Sequence, residues 1–305
     1  MKELADEANK EQLIHELQNV EMLRKTNYGQ NELYIFTAQQ APKLMHEVGR
    51  LREMTFRRAG GGTGKDVDID AYDTTENPYY QLIVWEPEQQ IILGGYRYID
   101  CANIHMDNPK EIKLATQGLF SFSEKFIEQF LPYTLELGRS FVRPDYQSTQ
   151  SARKAIYTLD NLWDGLGALI LKHKQAKYFF GKVTMYDTFN TEARDLLLYF
   201  LKKMFPDHDK LVYPNEPLEF ATSLDKLEKF FNHGNFKDDY KELSYSIRNL
   251  GEKIPPLINS YMNISPNMRT FGTAINHHFG AVEETGILIT IDDIFQEKKE
   301  RHISL

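Results

Sequence analysis

Leu135–Tyr146, LELGRSFVRPDY, is the stretch whose reading decides the fold. Five apolar residues, Leu135, Leu137, Phe141, Val142 and Tyr146, surround one carboxylate, Glu136, and two guanidiniums, Arg139 and Arg143. That apolar content predicts a buried strand, and Pro144 ends it because proline cannot continue a central ladder. Charges within such a strand are tolerated when they are paired or when they handle a substrate. An ion pair that only ties strands together and a catalytic pair are both open at this point.

Working outward, two apolar runs, Tyr80–Glu86 and Ile91–Ile99, are joined by Pro87–Gln90 and predict a hairpin, with Arg97 inside its second strand. Leu33–Thr37 reads as a further strand. Pro42 opens a helix to about Arg58 that turns Leu44, Val48, Leu51 and Phe56 toward a core, with Arg52 among them. Residues 3–25 carry Leu4, Leu13, Leu17, Val20 and Leu23 at helical spacing and predict a helix. Residues 111–131 predict another, whose Phe122, Phe126 and Phe130 form a core stripe. A polar loop over 144–160 leads to a helix from Leu162 to His173. Then come a strand at Tyr178–Met185, an amphipathic helix at Thr191–Phe205 and a late strand at Ile287–Ile291. Helical inserts are expected around Leu224–Phe231 and Tyr240–Leu250, and a solvated tail at the end. The reading is an N-terminal helical extension over 1–29, one α/β domain over 30–295 with a helical insertion at 206–260, and a tail at 296–305.

Composition bounds the function. A net charge of −8 opposes general nucleic-acid binding, which needs a basic face. The single cysteine, Cys101, excludes an intramolecular disulfide and a cysteine-rich metal site. No H-E-x-x-H or G-x-S-x-G pattern occurs, so neither a zinc hydrolase nor a serine hydrolase is indicated, and no metal is expected. Gly60–Lys65, GGGTGK, is one residue short of a phosphate-binding loop and follows a helix, so it reads as a plain loop. The next segment, DIDAYD, alternates Asp68, Asp70 and Asp73 but lacks the glycine and final glutamate of a calcium loop. No apolar run reaches membrane-span length and the N-terminus is charged throughout, which leads to the expectation of a soluble, cytoplasmic protein.

Four segments in order, LREMTFR (51–57), DIDAYD (68–73), GGYRYI (94–99) and ELGRSFVRPDY (136–146), resemble the GNAT-like N-acyltransferases of amino-acid-lipid synthesis, the haemolysin-like family. That family is related to the acyl-homoserine-lactone synthases. Weaker likeness continues in LWDGL, FFGKVTM, KIPPLINSYMNI and HFGAVEETGILI, so the resemblance covers about residues 30–292. It implies a GNAT-like fold, a mixed central sheet flanked by helices. It also implies transfer of a fatty acyl group, 3-hydroxylated in some members, from acyl carrier protein to the α-amino group of an amino acid such as glycine or ornithine. Arg52, Phe56, Asp70, Asp73, Arg97, Glu136 and Arg139 match the family's signature positions, and Ser140 is counted with Glu136 and Arg139 as catalytic. The glycine-rich coenzyme-A loop of GNAT enzymes is absent after Val142, where RPDYQSTQSARKA stands. The expected donor is therefore the phosphopantetheine thioester of acyl carrier protein rather than acyl-CoA, with no resident cofactor.

Aminolysis of a thioester needs a deprotonated amine, a place for the oxyanion and alignment of two substrates. Glu136 is the candidate base, which requires its burial to raise its proton affinity. The resemblance counts Arg52, Phe56, Asp70, Asp73 and Arg97 as substrate-binding; chemically, Arg97 and Arg139 can hold the acceptor's carboxylate or fix Asp70 and Asp73, and Arg52 and the aspartates are assigned to the structural network. In a regular strand Glu136 and Arg139 point to opposite faces; a bulge at Gly138 brings them together. An acidic carrier protein needs a basic patch, for which Arg143, Arg153 and Lys154 are the candidates, with Lys172, Lys174 and Lys177 nearby. The alternatives are a lactone-type signal synthase and a non-catalytic protein that binds lipid or acyl carrier. An amphiphilic product makes transient contact with the inner membrane face an expectation.

Overall fold

The computed structural model describes residues 1–104, 112–146 and 152–303, and only the backbone over 152–156. In chain order the elements are α1 (Lys10–Leu17), β1 (Glu21–Lys25), β2 (Glu32–Phe36), α2 (Pro42–Arg58), α3 (Ala71–Thr74), β3 (Tyr80–Glu86), β4 (Ile91–Asp100) and β5 (Phe120–Phe122). They continue with β6 (Thr134–Val142), α4 (Ala152–Lys172), β7 (Tyr178–Met185), α5 (Thr191–Met204), β8 (Val212–Pro214), α6 (Leu224–Phe230) and α7 (Phe236–Asn249). Last come α8 (Pro256–Met262), β9 (Arg269–Asn276), β10 (Val282–Thr290) and α9 (Gln296–His302). The fold class is α/β.

Two compact units divide the chain. The first comprises Met1–Ile104, Tyr133–Ala176 and Phe295–Leu305. Its strands run β1-β2-β3-β4-β6, each antiparallel to its neighbour. Alternation along β3 and β4 gives the sheet two different faces. Gln81 and Arg97 point toward α2, where Gln81 meets Arg52. Leu82 and Tyr96 point the other way, close against Gly165 of α4. One face thus carries charge and the other is apolar.

The second unit, His105–Pro132 with Lys177–Ile294, has the order β7-β10-β9, again antiparallel, and a separate β5–β8 pair. Phe180 of β7 packs against Phe122, Phe126 and Phe271. A second aromatic group joins Phe200 of α5 to Phe231, Phe236 and Tyr240.

Several expectations are corrected. The helix predicted over 3–25 is short: Asn9 caps α1, which ends at Leu17, and β1 then adds an edge strand to β2. The segment at 1–29 therefore contributes β1 to the first unit's sheet. The helix predicted over 111–131 is replaced by β5 and a one-turn π-helix, Phe126–Phe130. The phenylalanine stripe survives, because Phe122, Phe126 and Phe130 stack in succession, at 5.1 and 6.2 Å between centroids. The predicted loop over 144–160 lies partly outside the described residues, and α4 begins ten residues earlier than Leu162, at Ala152. Residues 206–260 are part of the second unit, with strand β8 among the helices.

The tail is solvated over Gln296, Glu297, Glu300 and Arg301, as expected, but it is a helix anchored at its end. His302 of α9 is buried and its Nδ1 lies 2.8 Å from Asp164 Oδ1 of α4. Asp164 also accepts from Asn27 N at 2.8 Å, while Arg24 donates to the His302 carbonyl at 2.9 Å. A Cβ on Gly167 would stand 2.0 Å from that carbonyl oxygen, so only glycine admits α9 this close.

The GGGTGK loop has a partner inside the chain. The buried Glu53 carboxylate accepts from Thr63 N, Thr63 Oγ1 and Gly64 N at 2.7–2.9 Å, and from Arg57 Nε at 2.7 Å. Burial works to raise the Glu53 carboxyl, but these bonds outweigh it and hold it below the usual range.

Among the described residues, no helix is long and apolar enough to cross a membrane.

Candidate active site

The site begins with a clamp between α2 and the acidic segment. Asp68 N donates to the Gly49 carbonyl at 2.9 Å, and a Cβ on Gly49 would lie 2.7 Å from Ile69. Held there, Asp70 becomes the N-cap of α3: its carboxylate accepts from Tyr72 N at 2.9 Å while Asp73 accepts from Asp70 N at 3.1 Å. This reciprocal capping fixes both carboxylates toward β4.

Arg97 meets them there. Its Nη1 lies 2.7 Å from Asp70 Oδ1 and 3.1 Å from Asp73 Oδ2. Arg52, fully buried, places Nη1 3.4 Å from both Asp73 oxygens and donates through Nη2 to Gln81 Oε1. Gln81 in turn donates to Asp73 at 3.0 Å. Arg139 Nε lies 2.9 Å from Asp68 Oδ2, and its Nη2 lies 3.7 Å from Asp70 Oδ2. Three arginines and three aspartates therefore neutralise one another, which is the condition for burying them at all.

The electrostatics follow. Burial works to raise the Asp73 carboxyl, but Arg52 and Arg97 outweigh it and hold it down at about 2. Burial works to lower Arg97, and Asp73 and Asp70 reverse this and push it up. At Arg52 burial wins and the guanidinium is pushed down.

Strand β6 supplies the rest. Gly95 faces Phe141 and Arg97 faces Gly138, so Tyr96 alone spans Arg139 and Ser140. This is a β-bulge, one residue beyond the expected position at Gly138, with Arg139 in the left-handed region at φ 53°. Its effect is visible in the contacts. Arg139 reaches Asp70, the same carboxylate that Arg97 holds, so it shares the α2-side face with Arg97. Glu136 lies on this face too, opposite Ile99, and is 1% exposed.

Glu136 joins the network through a residue that the sequence did not single out. The Tyr79 hydroxyl donates to Glu136 Oε2, and the Tyr79 ring centroid lies 5.0 Å from Arg97 Cζ. Tyr72 packs edge-on against Tyr79, 5.8 Å between centroids, and accepts its backbone N–H at 2.8 Å. Burial, then the negative charges of Glu136 and Asp70, push the Tyr72 phenol up. Cys101 is buried beside Glu136, and burial pushes its thiol up well above the usual range.

The structure thus brings Arg52, Asp70, Asp73, Arg97, Glu136 and Arg139 together, with Asp68, Tyr79 and Gln81 as added members. Ser140 lies in the bulge, half-buried, and Phe56 is buried on α2. Arg143 is turned elsewhere, 3.8 Å from Glu7 and 3.5 Å from Asp145. The side chains of Arg153 and Lys154 lie outside the described residues. Lys172 pairs with Glu21 at 2.8 Å. Among the described residues no three His, Cys, Asp or Glu side chains are grouped as a metal site. The signal for Gln81 was available, as the one amide in YQLIVWE; Tyr79 had none beyond its place at the mouth of that strand.

Comparison with known proteins adds four findings. The acetyltransferase (GNAT) domain family matches residues 51–156, which contain Arg52, Asp68, Asp70, Asp73, Tyr79, Gln81, Arg97, Glu136 and Arg139. A glycine N(alpha)-acyltransferase of Phocaeicola vulgatus is 53% identical over 303 residues, covering 99% of this chain and 93% of that protein. A glycine N(alpha)-acyltransferase of Bacteroides thetaiotaomicron is 54% identical over 303 residues, covering 99% and 90%. Among solved structures, TofI in a ternary complex with an inhibitor and MTA aligns at TM-score 0.44 and 8% identity, over 89% of this chain and 97% of that one. That likeness is too distant to bear on the chemistry.

Proposed function

This chain belongs to the GNAT acyltransferase family of those two glycine N(alpha)-acyltransferases, is itself an N-acyltransferase, and on that premise we propose that it acylates the α-amino group of glycine with a fatty acyl group from acyl carrier protein. The observation that carries the acceptor is identity above half over nearly the whole chain to two relatives of that name. The lack of a glycine-rich coenzyme-A loop after Val142 supports the carrier-protein thioester as donor.

In this reading the glycine ammonium lies near Asp70, 26% exposed, and its carboxylate near the Arg139 guanidinium, 15% exposed. An ammonium cannot attack a thioester, so one proton must leave first; Glu136 is assigned as its acceptor. The amine then forms the C–N bond; as the oxyanion collapses and the C–S bond breaks, the nitrogen gives up its second proton, which the departing phosphopantetheine thiolate takes, and the first proton stays on Glu136 until products leave. Ser140 and the bulged backbone beside it are assigned to the oxyanion. The paired aspartates and arginines hold that geometry against the charge movement. The product is a single-chain amphiphile, which leaves from the cytoplasmic face of the membrane.

The test is lipid mass spectrometry on a bacterium expressing this chain beside Glu136→Gln, followed by purified protein with glycine and a panel of acyl-carrier thioesters. N-acylglycine, lost in the variant, is the expected result. Acylation of another amine in preference to glycine, or faster turnover with acyl-CoA than with the carrier thioester, would overturn the acceptor or the donor respectively.

A further inference from the structure

Tyr79 is buried at 1% exposure, and its hydroxyl is spent on Glu136 Oε2. Two neighbours fix its ring. Arg97 Cζ lies 5.0 Å from the ring centroid, and Tyr72 packs edge-on at 78° between ring planes. A cation over an aromatic face attracts the ring quadrupole, and it also draws electron density from the phenol, which makes the hydroxyl a better donor. The same Arg97 is held by Asp70 and Asp73, and Asp73 by Arg52. A continuous line of contacts therefore runs from α2, through the aspartates and Arg97, across an aromatic face, to one carboxylate oxygen.

We propose that Tyr79 is the positioning residue for Glu136: its hydroxyl, oriented by Arg97 and Tyr72, fixes the rotamer of the carboxylate and keeps it charged for proton acceptance. The inference rests on the assignment of Glu136 as proton acceptor. A plain packing role accounts for the buried ring but not for an O–H aimed at the carboxylate assigned to accept the proton. A hydrogen bond donated to a carboxylate favours its charged form, so losing the donor must make that form harder to reach. The Tyr72 phenol and the Cys101 thiol also feel the Glu136 charge, and Arg97, held by Asp70 and Asp73, stands over the Tyr79 ring. All of these remain in Tyr79→Phe, as does the ring face beneath Arg97.

The experiment compares wild type, Tyr79→Phe, Glu136→Gln and the double variant, with glycine and the hexadecanoyl thioester of acyl carrier protein, from pH 5 to 9. Tyr79→Phe is expected to lower kcat by about tenfold with the KM for glycine unchanged, and to move the acidic limb of the kcat profile up by about one pH unit. In the Glu136→Gln background the same change should add less than twofold, because the group it acts through is gone. An unmoved limb in Tyr79→Phe, or a full tenfold added loss in the double variant, overturns the proposal. Full activity in Glu136→Gln would instead overturn the assignment of Glu136, which separates the two failures. If Tyr79→Phe does not fold, 3-fluorotyrosine placed at position 79 keeps the shape and strengthens the donor. The limb must then move down, and an unmoved limb again overturns the proposal.

Discussion

Arg139 Nε lies 2.9 Å from Asp68 Oδ2, a carboxylate with no solvent exposure, and Arg139 holds that position from a left-handed backbone at φ 53°. Two opposing effects meet at one residue: a buried ion pair that stabilises and a backbone conformation that costs about 1 kcal/mol or more. Arg139→Ala strands a buried carboxylate, for which about 3 kcal/mol is the expected loss, measured by urea unfolding. Arg139→Gly loses the same pair but releases the backbone, so it should unfold at higher urea than Arg139→Ala. Both should lose activity, because neither replaces the guanidinium.

Asp73 ties stability to acid. Its folded value of about 2 lies below the ordinary 3.8, so the stabilisation is fully present above about pH 4 and is lost as the pH falls toward 2. The depression corresponds to roughly 2 kcal/mol. Wild type should lose that much more stability than Asp73→Asn between about pH 4 and 2, in parallel urea titrations. Equal acid slopes in the two proteins would refute this account.

At the apolar face of the first unit, Gly167→Ala should expel α9, since the added methyl would meet the His302 carbonyl. Hydrogen exchange over 296–302 should accelerate sharply. A stability loss of about 1–3 kcal/mol is expected from such overpacking.

Glu53→Ala removes the acceptor of three donors in the 60–65 loop. Amides of Thr63 and Gly64 should lose their exchange protection, and protease cleavage within the loop should appear. The two amides are only half-buried and water can satisfy them once the loop opens, so the expected stability loss is about 1 kcal/mol.

Much of the fold was legible because its signals are local. Pro42 at the first turn and arginines at the last marked α2, and the Pro87–Gln90 turn marked the β3–β4 hairpin. The failures are those where distant packing decides. Residues 21–25 form a strand because β2 offers an open edge, and α9 is ordered because Asp164 and Gly167, far back in the chain, receive it. No pattern inside EMLRK or QEKKERH carries that information. The same division holds at the site. Glu136, Arg139 and Arg97 stood out as charges in apolar strands, whereas Tyr79 looks like any aromatic residue until its hydroxyl is seen against Glu136.

Arg52, Asp73 and Arg97 are all 3% exposed or less. Dissolved ions screen charges they can surround, and they cannot surround these. The reacting centre should therefore be almost indifferent to ionic strength, and single-turnover rates with bound substrates should be the same in dilute and concentrated salt. Any salt sensitivity in steady-state kinetics then belongs to the encounter with the acyl donor. A simple salt titration separates recognition from chemistry.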